Sequence, residues 1–288
     1  MSNLQLFLGA TAIWGTTWLA ITFQLGRVAP EASVAYRYFL ASSLLFAFCA
    51  IRGIRLRYPL REHAWLAFQG VTMFGVGYVL VYYAEQRVVS GLVAIGFSAS
   101  PLLGMLGLRL CFGTPMTARM TAGSLLGVAG ITLVFWPEFA RLGMGADVVL
   151  GAIYTVLAVL ISSVGSLVAH RNRDAKIPLW ATMAWGMVYG AISAVVFTFA
   201  AGQSMTFEPT FPYVASLLYL ALFGSIAAFA CYLTLLGRIG AARSGYIGVM
   251  TPIVALVISS LFEGFSWHAL TVVGIAVSVA GNLLVLRR

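Results

Sequence analysis

Charge is what this sequence has least of. Only 9% of its 288 residues are Asp, Glu, Lys or Arg, against about 25% in a soluble domain, while 61% are hydrophobic. A water-soluble fold of that composition would have no polar surface to show, so the bilayer must be the solvent for most of the chain. Cysteine is scarce too. Cys49, Cys111 and Cys231 lie in or at the ends of apolar runs, and their spacing suggests neither a disulfide framework nor a zinc site. His63, His170 and His268 all fall at the ends of such runs, no two at metal-ligand spacing, so no metal and no cofactor is expected. No GxxxxGK[ST] loop is present, which removes ATP-driven transport within this chain. No Ser/His/Asp or Cys/His arrangement stands at the centre of an apolar run, so enzyme chemistry is not expected. Met1–Leu4 lacks the basic start of a cleavable leader, and the first apolar run is long enough to span.

What is there is a series of ten apolar segments: 4–25, 31–51, 64–84, 90–111, 117–136, 147–169, 177–201, 212–236, 242–262 and 268–286. A spanning helix needs about 20 mostly apolar residues, so ten of them leave only short loops. Strands of a membrane barrel would alternate in polarity over about ten residues; these runs are longer and apolar on all faces. The expected fold is all-α, with ten transmembrane helices. The net charge of +9 invites a nucleic-acid reading, but its distribution argues against one. Counting loops alternately, 13 basic residues, among them Arg52, Arg55, Arg57, Arg171, Arg173, Arg287 and Arg288, fall on one side and only Arg27, Arg87 and Arg141 on the other. Basic residues in short loops mark the cytoplasm, so both termini are placed there. Anionic lipid is a secondary partner of that face.

The two halves echo each other. Pro101, Gly113, Gly123 and Gly130 match Pro252, Gly264, Gly274 and Gly281, each pair 151 residues apart; Leu110 and Leu261, and Ala118 and Ala269, keep that offset, and Phe74-Gly75 is repeated by Phe223-Gly224 at 149. The pattern predicts two five-helix repeats, 1–140 and 141–288. Five is odd, so the second repeat must enter the membrane inverted. Inverted repeats are a hallmark of secondary transporters, with a site near the midplane between them.

Trp14-Gly15-Thr16-Thr17-Trp18 in the first segment, Pro30 with Arg37-Tyr38-Phe39 and Ala41 in the second, and Pro252, Glu263-Gly264, Gly274 and Gly281 near the end resemble the drug/metabolite transporter superfamily, EamA type. The resemblance covers the whole chain. One departure is Phe112-Gly113, where the family has a glutamate before the glycine at the end of the fourth helix. The resemblance implies ten helices around a central cavity and export of amino acids or related metabolites across the bacterial inner membrane. Within the family the chain looks most like its exporters of aromatic amino acids. Nothing in the sequence indicates an oligomeric state.

Candidate substrate-binding residues are Trp14, Thr16, Arg37, Tyr78, Tyr82 and Trp185. Tyr78 and Tyr82 are four apart on one helical face, with Phe74 and Glu85 continuing the stripe. They offer an aromatic wall with polar tips, suited to a zwitterion with an apolar side chain; the alternative is the interfacial aromatic belt. Tyr78 lies about 10 Å below the outer end at 1.5 Å per residue, deeper than a belt residue. Trp14 sits near the middle of its segment, where it lines a pocket with Thr16 and Thr17 or packs on a neighbour. Trp185 and Tyr189 repeat the spacing beside Gly186 and Gly190, a GxxxG that favours helix packing. Arg37 is the one charge well inside a segment. It snorkels outward or pairs with an outer acid such as Glu263, the pair being the preferred reading, or it binds a substrate carboxylate. Pro101 and Pro252 stand at matching places as hinges or static kinks, and Ser244 with Tyr246 opens the ninth segment as a gate or a belt.

The leading expectation is a carrier that exports amino acids by alternating access. The runner-up is export of other metabolites or drugs. An intramembrane enzyme would need acids, His or Cys deep in the segments, and a structural subunit would not explain the duplication. All eight acids fall in loops or near segment ends, so direct proton antiport has no buried carboxylate to run on, with Glu85 and Glu263 the exceptions to test. A facilitator is expected.

Overall fold

The structure is a computed structural model that describes residues 1–113, 117–141, 146–244 and 246–286. Among the described residues there is no strand. The helical stretches follow one another as α1 (Asn3–Thr22), α2 (Pro30–Ile51), α3 (Leu60–Glu85), α4 (90–112), α5 (Ala118–Arg141), α6 (Ala146–Asp174), α7 (Leu179–Ala200), α8 (211–244), α9 (Tyr246–Phe262) and α10 (Ala269–Leu286). Seven of them are long and apolar enough to cross a membrane. α4, α9 and α10 contain the shorter apolar helices Ser90–Ala99, Met250–Phe262 and Ala269–Gly281. Large apolar side chains such as Leu125, Trp136, Val196 and Phe199 point outward, as lipid-facing residues do.

Local sequence sets the ends. α2 begins with Pro30, whose missing N–H costs nothing at a first helical position, followed by Glu31, which complements the helix dipole. α4 and α9 both end at a glycine in the left-handed region, Gly113 (φ 68°) and Gly264 (φ 69°), where a side chain would be strained. α8 runs on to Ser244, past Arg238, Gly240 and Arg243, so its end lies inside the segment 242–262 expected to be the next helix. Short polar and glycine positions do not break a helix once it is packed.

Two helices are interrupted in the same way. α3 contains π-helical turns at Gly70–Val76 and α8 at Leu220–Ala227. Each holds one of the two Phe-Gly pairs, Phe74-Gly75 and Phe223-Gly224. Such turns bond i to i+5 and are frequent at functional sites. α4 carries a 3-10 turn at Phe97–Ala99, directly before Pro101, which has no N–H to donate back into that turn. α9 continues through Pro252 as one helix.

The chain divides into two compact units. The first comprises Met1–Thr22, Ala84–Val156 and Ala227–Arg288; the second comprises Phe23–Tyr83 and Leu157–Ile226. Each draws on both halves of the chain, and α3, α6 and α8 contribute to both units.

In the first unit α5 lies on α10, α1 on α8 and α9, and α4 on α9. Leu92, Ile95, Val134, Phe135, Leu256 and Phe265 form one apolar core, and Leu6, Ala10, Leu235 and Ile247 another. The α5–α10 contact is backbone on backbone. A Cβ on Gly130 would stand 2.5 Å from the Gly274 carbonyl oxygen, one on Gly274 2.6 Å from that of Gly130, and one on Gly281 2.4 Å from that of Gly123. As numbers rise from 123 to 130 along α5, their partners fall from 281 to 274 along α10, so the helices run antiparallel. At the 151 offset, Gly274 is the counterpart of Gly123 and Gly281 of Gly130. Gly130 therefore meets the residue that matches Gly123, and Gly123 the residue that matches Gly130, the pattern a local two-fold axis produces.

In the second unit α7 packs on α2 and on the π-helical turns of α3. Gly186 and Gly190 make that approach possible. A Cβ on Gly190 would be 2.7 Å from that of Phe74, and one on Gly70 would be 2.3 Å from the Gly186 carbonyl oxygen. The GxxxG expectation of a packing face is met here.

Candidate functional site

The polar centre of the second unit is built from α2, α3 and α8. The four-residue spacing puts Phe74, Tyr78 and Tyr82 on one side of α3, and that side faces Arg37 and Tyr38 on α2. The Tyr38 ring lies 5.3 Å from Phe74 and 5.2 Å from Tyr78, the latter edge to face. The Arg37 guanidinium carbon sits 4.7 Å from the Tyr78 ring centre and 5.1 Å from that of Tyr38, within cation–π range. Its Nε donates to Ser225 Oγ at 3.1 Å. Ser225 belongs to the π-helical turns of α8 and donates in turn to the Leu220 carbonyl five residues back, at 2.9 Å. Tyr82 also faces the guanidinium, and its hydroxyl donates to Gln24 Oε1 at 2.6 Å. Arg37, Tyr38 and Tyr82 are buried; Tyr78 is half-buried.

Arg37 makes no ion pair among the described residues. The preferred sequence expectation, a pair with an outer acid such as Glu263, is therefore corrected. Glu263 is engaged in the first unit instead, where Ser90 Oγ donates to it at 2.5 Å, the Ser90 N–H at 3.2 Å, and Ser259 Oγ as well. These bonds tie the last turn of α9 to the first turn of α4. The helix dipole of α4 favours a carboxylate there. Two acids placed near segment ends are nonetheless buried, Glu31 at 2% and Glu85 at 7% exposure. Glu31 accepts the Tyr83 hydroxyl.

The other candidates lie elsewhere. Trp185 donates from Nε1 to the Leu56 carbonyl at 3.0 Å, stacks on Tyr189 at 5.8 Å and stands edge-on to His63 at 4.5 Å. Tyr189 OH and His63 Nδ1 are 2.9 Å apart. This second aromatic cluster, with Ile54, Leu56 and Tyr58, belongs to the loop after α2 and the start of α3. In the first unit, half-buried Trp14 packs edge-on to Phe229 at 5.1 Å and beside Tyr232 at 5.5 Å. The Thr16 hydroxyl bonds back to the carbonyls of Ala12 and Ile13, each at 2.9 Å. Pro252 is buried beside a small cleft that Ser98 and Ser278 also line. The side chains of Pro101, Ser244 and Tyr246 lie outside the described residues. No group of three metal-ligating side chains occurs among the described residues.

The sequence reading did not single out Gln24, Tyr38 or Ser225 as site residues. Tyr38 had a signal, since it adjoins the one buried charge. Ser225 and Gln24 had none, because the helix pairings that bring them in join residues far apart in the chain.

A sequence model of the EamA-like transporter family matches residues 1–136 and 149–287. The chain belongs to this family. It is a multi-pass membrane transporter. This EamA-like chain is 30% identical over 282 residues to the protein named "Uncharacterized inner membrane transporter YedA" of Escherichia coli (strain K12), covering 92% of this chain and 86% of that one. It is 24% identical over 253 residues to the "Uncharacterized transporter YoaV" of Bacillus subtilis (strain 168), covering 86% and 84%. A solved crystal structure superposes with a TM-score of 0.71 at 18% identity, covering 98% of this chain and 96% of that one, which shows that the fold is shared. Neither YedA nor YoaV carries a substrate in its name, and the resemblance to aromatic amino-acid exporters gains no support from them.

Proposed function

We propose that this EamA-like transporter exports amino acids, aromatic ones among them, across the inner membrane by alternating access. The observation that carries the reading is the aromatic face of α3. Tyr78, half-buried, stands between the buried Phe74 and Tyr82 and against the Arg37–Tyr38 pair of α2. An apolar wall with phenol tips and one cation matches the chemistry of an amino acid with an apolar or aromatic side chain. In this reading Arg37, Tyr78 and Tyr82 are the substrate-contacting residues of the second unit, and Trp14 and Thr16 are those of the first. Trp185 supports the loop after α2.

The transport cycle follows from an inverted duplication, 1–140 and 141–288, with ten crossings and both termini in the cytoplasm. Four observations support it. The α5–α10 glycines exchange counterparts in antiparallel register. The π-helical turns fall on the repeated Phe-Gly pairs. Gly113 and Gly264 end their helices alike, as do Gly53 and Gly202. The family model also matches in two segments. Two states related by exchanging the conformations of the repeats are an outward-open and an inward-open form. In this proposal Pro101 and Pro252 act as hinges and Ser244 and Tyr246 as the cytoplasmic gate, no cofactor takes part, and substrate moves down its own gradient.

The test is efflux of labelled amino acids from liposomes holding the pure protein. Protein-dependent efflux of phenylalanine or tryptophan supports the reading. Efflux of other metabolites with no amino-acid efflux replaces it.

A further inference from the structure

We propose that Arg37 is the anchor for a carboxylate on the transported molecule, held by its guanidinium against the faces of Tyr38 and Tyr78. This deepens the amino-acid reading and rests on it for the identity of the substrate. Arg37 is 1% exposed, and a fully buried ion carries a large desolvation cost unless its charge and its hydrogen-bond donors are answered. The protein answers them only in part. Nε has Ser225, the Tyr82 side chain faces the guanidinium, two aromatic faces lie in cation–π range, and Nη1 has no acceptor.

The acids of the same unit are all committed elsewhere. Glu31 accepts from Tyr83, Glu62 pairs with Arg171, Asp174 with His170 and Arg173, and Glu208 accepts from Thr210. No counter-ion from the unit's own acids is left for the guanidinium. A carboxylate supplies one, and its two oxygens suit the planar fork of donors that Arg presents. Tyr78 marks the approach: it is the one half-buried member of a cluster whose other members, Arg37, Tyr38 and Tyr82, are buried. Ser225 fixes the guanidinium from the opposite helix, so the donors are already oriented when the ligand arrives.

The consequence is chemical selectivity. The transporter should prefer an acid to its own amide when the two are otherwise the same molecule. A purely architectural Arg37, serving only to tie α2 to α8 through Ser225, gives no such preference.

The experiment uses the full-length purified protein and two matched pairs of probes, phenylalanine with phenylalaninamide and 3-phenylpropionate with 3-phenylpropionamide, with dissociation constants read by calorimetry. Wild type should bind the acid about tenfold or more tightly than the amide in at least one pair, the scale of a single charge-assisted contact. Arg37→Gln should bring the acid down to the level of its amide, and Arg37→Lys should keep part of the preference. Ser225→Ala, which removes the tie but leaves the guanidinium, should keep most of it. If Arg37→Gln does not fold, the wild-type ratio and the Lys variant decide. A wild-type ratio near one in both pairs, an unchanged ratio in Arg37→Gln, or no binding of either acid overturns the proposal. Phenylalanine bound, with a ratio near one in both pairs, leaves the amino-acid reading standing and the anchor refuted. An Arg37-dependent ratio for phenylpropionate with no binding of phenylalanine supports the anchor and refutes the amino-acid reading.

Discussion

Gly130 and Gly274 occupy the space of each other's missing side chain: a Cβ on either would stand within 2.6 Å of the other's carbonyl oxygen. The obstacle on both sides is backbone, which cannot swing away. Gly274→Leu should therefore push α5 and α10 apart and cost at least the roughly 1–3 kcal/mol typical of overpacking, seen as a lower melting temperature and a smaller monodisperse yield in detergent. Gly104→Ala, where nothing lies within 4 Å of the new Cβ, is the control and should be nearly neutral. Equal stability of the two variants would mean that the two helices are not packed at the glycines.

Tyr78 and Tyr82 share a helical face but should respond differently. Tyr82 is buried and donates to the buried Gln24 at 2.6 Å. Tyr82→Phe leaves Gln24 without that donor and should cost about 1–3 kcal/mol of stability; because the ring stays in place, it should reduce transport less than Tyr78→Ala. Tyr78→Ala should insert and purify normally yet cut transport of aromatic substrates several-fold. Normal transport by well-folded Tyr78→Ala would return Tyr78 to a packing role.

Helices and their order were legible in the residues because long apolar runs have one physical solution in lipid. The proposed repeat rests on Pro and Gly because those residues mark backbone positions rather than surface chemistry. The GxxxG of α7 announced a close approach, and Gly70 and Phe74 are what approaches. The partner of Arg37 was not legible. Side-chain neighbours in a bundle depend on which helices pair and in what register, and the outer acid offered as its partner, Glu263, is held at the start of α4 by Ser90 and Ser259. Trp185 shows the same limit: its spacing with Tyr189 resembles that of Tyr78 with Tyr82, but its face of α7 meets the loop carrying Leu56.

From the asymmetry of basic residues we propose that both termini are cytoplasmic. A reporter active only outside the cytoplasm, fused after Arg288, should be silent, and the same reporter in the loop between α1 and α2 should be active. A signal from the C-terminal fusion would mean an odd number of crossings or the opposite orientation.

Energy coupling follows from where the acids sit. Glu31 and Glu85 are buried near helix ends, and Glu263 is held by two serines, but none lies at mid-helix. A pH gradient imposed on proteoliposomes should not accumulate substrate, and Glu31→Gln, Glu85→Gln and Glu263→Gln should each leave downhill flux within about twofold of wild type, given their distance from mid-helix. Uphill transport driven by the pH gradient, abolished by one of these changes, would identify that carboxylate as the coupling group.

The central claim is amino-acid export, and the most direct measurement of it is counterflow. Proteoliposomes loaded with unlabelled phenylalanine and diluted into tracer-labelled phenylalanine should accumulate label transiently above equilibrium, with Tyr78→Ala strongly reduced. No protein-dependent accumulation with phenylalanine, tryptophan or any other amino acid, from a preparation that is folded and monodisperse, would contradict the account.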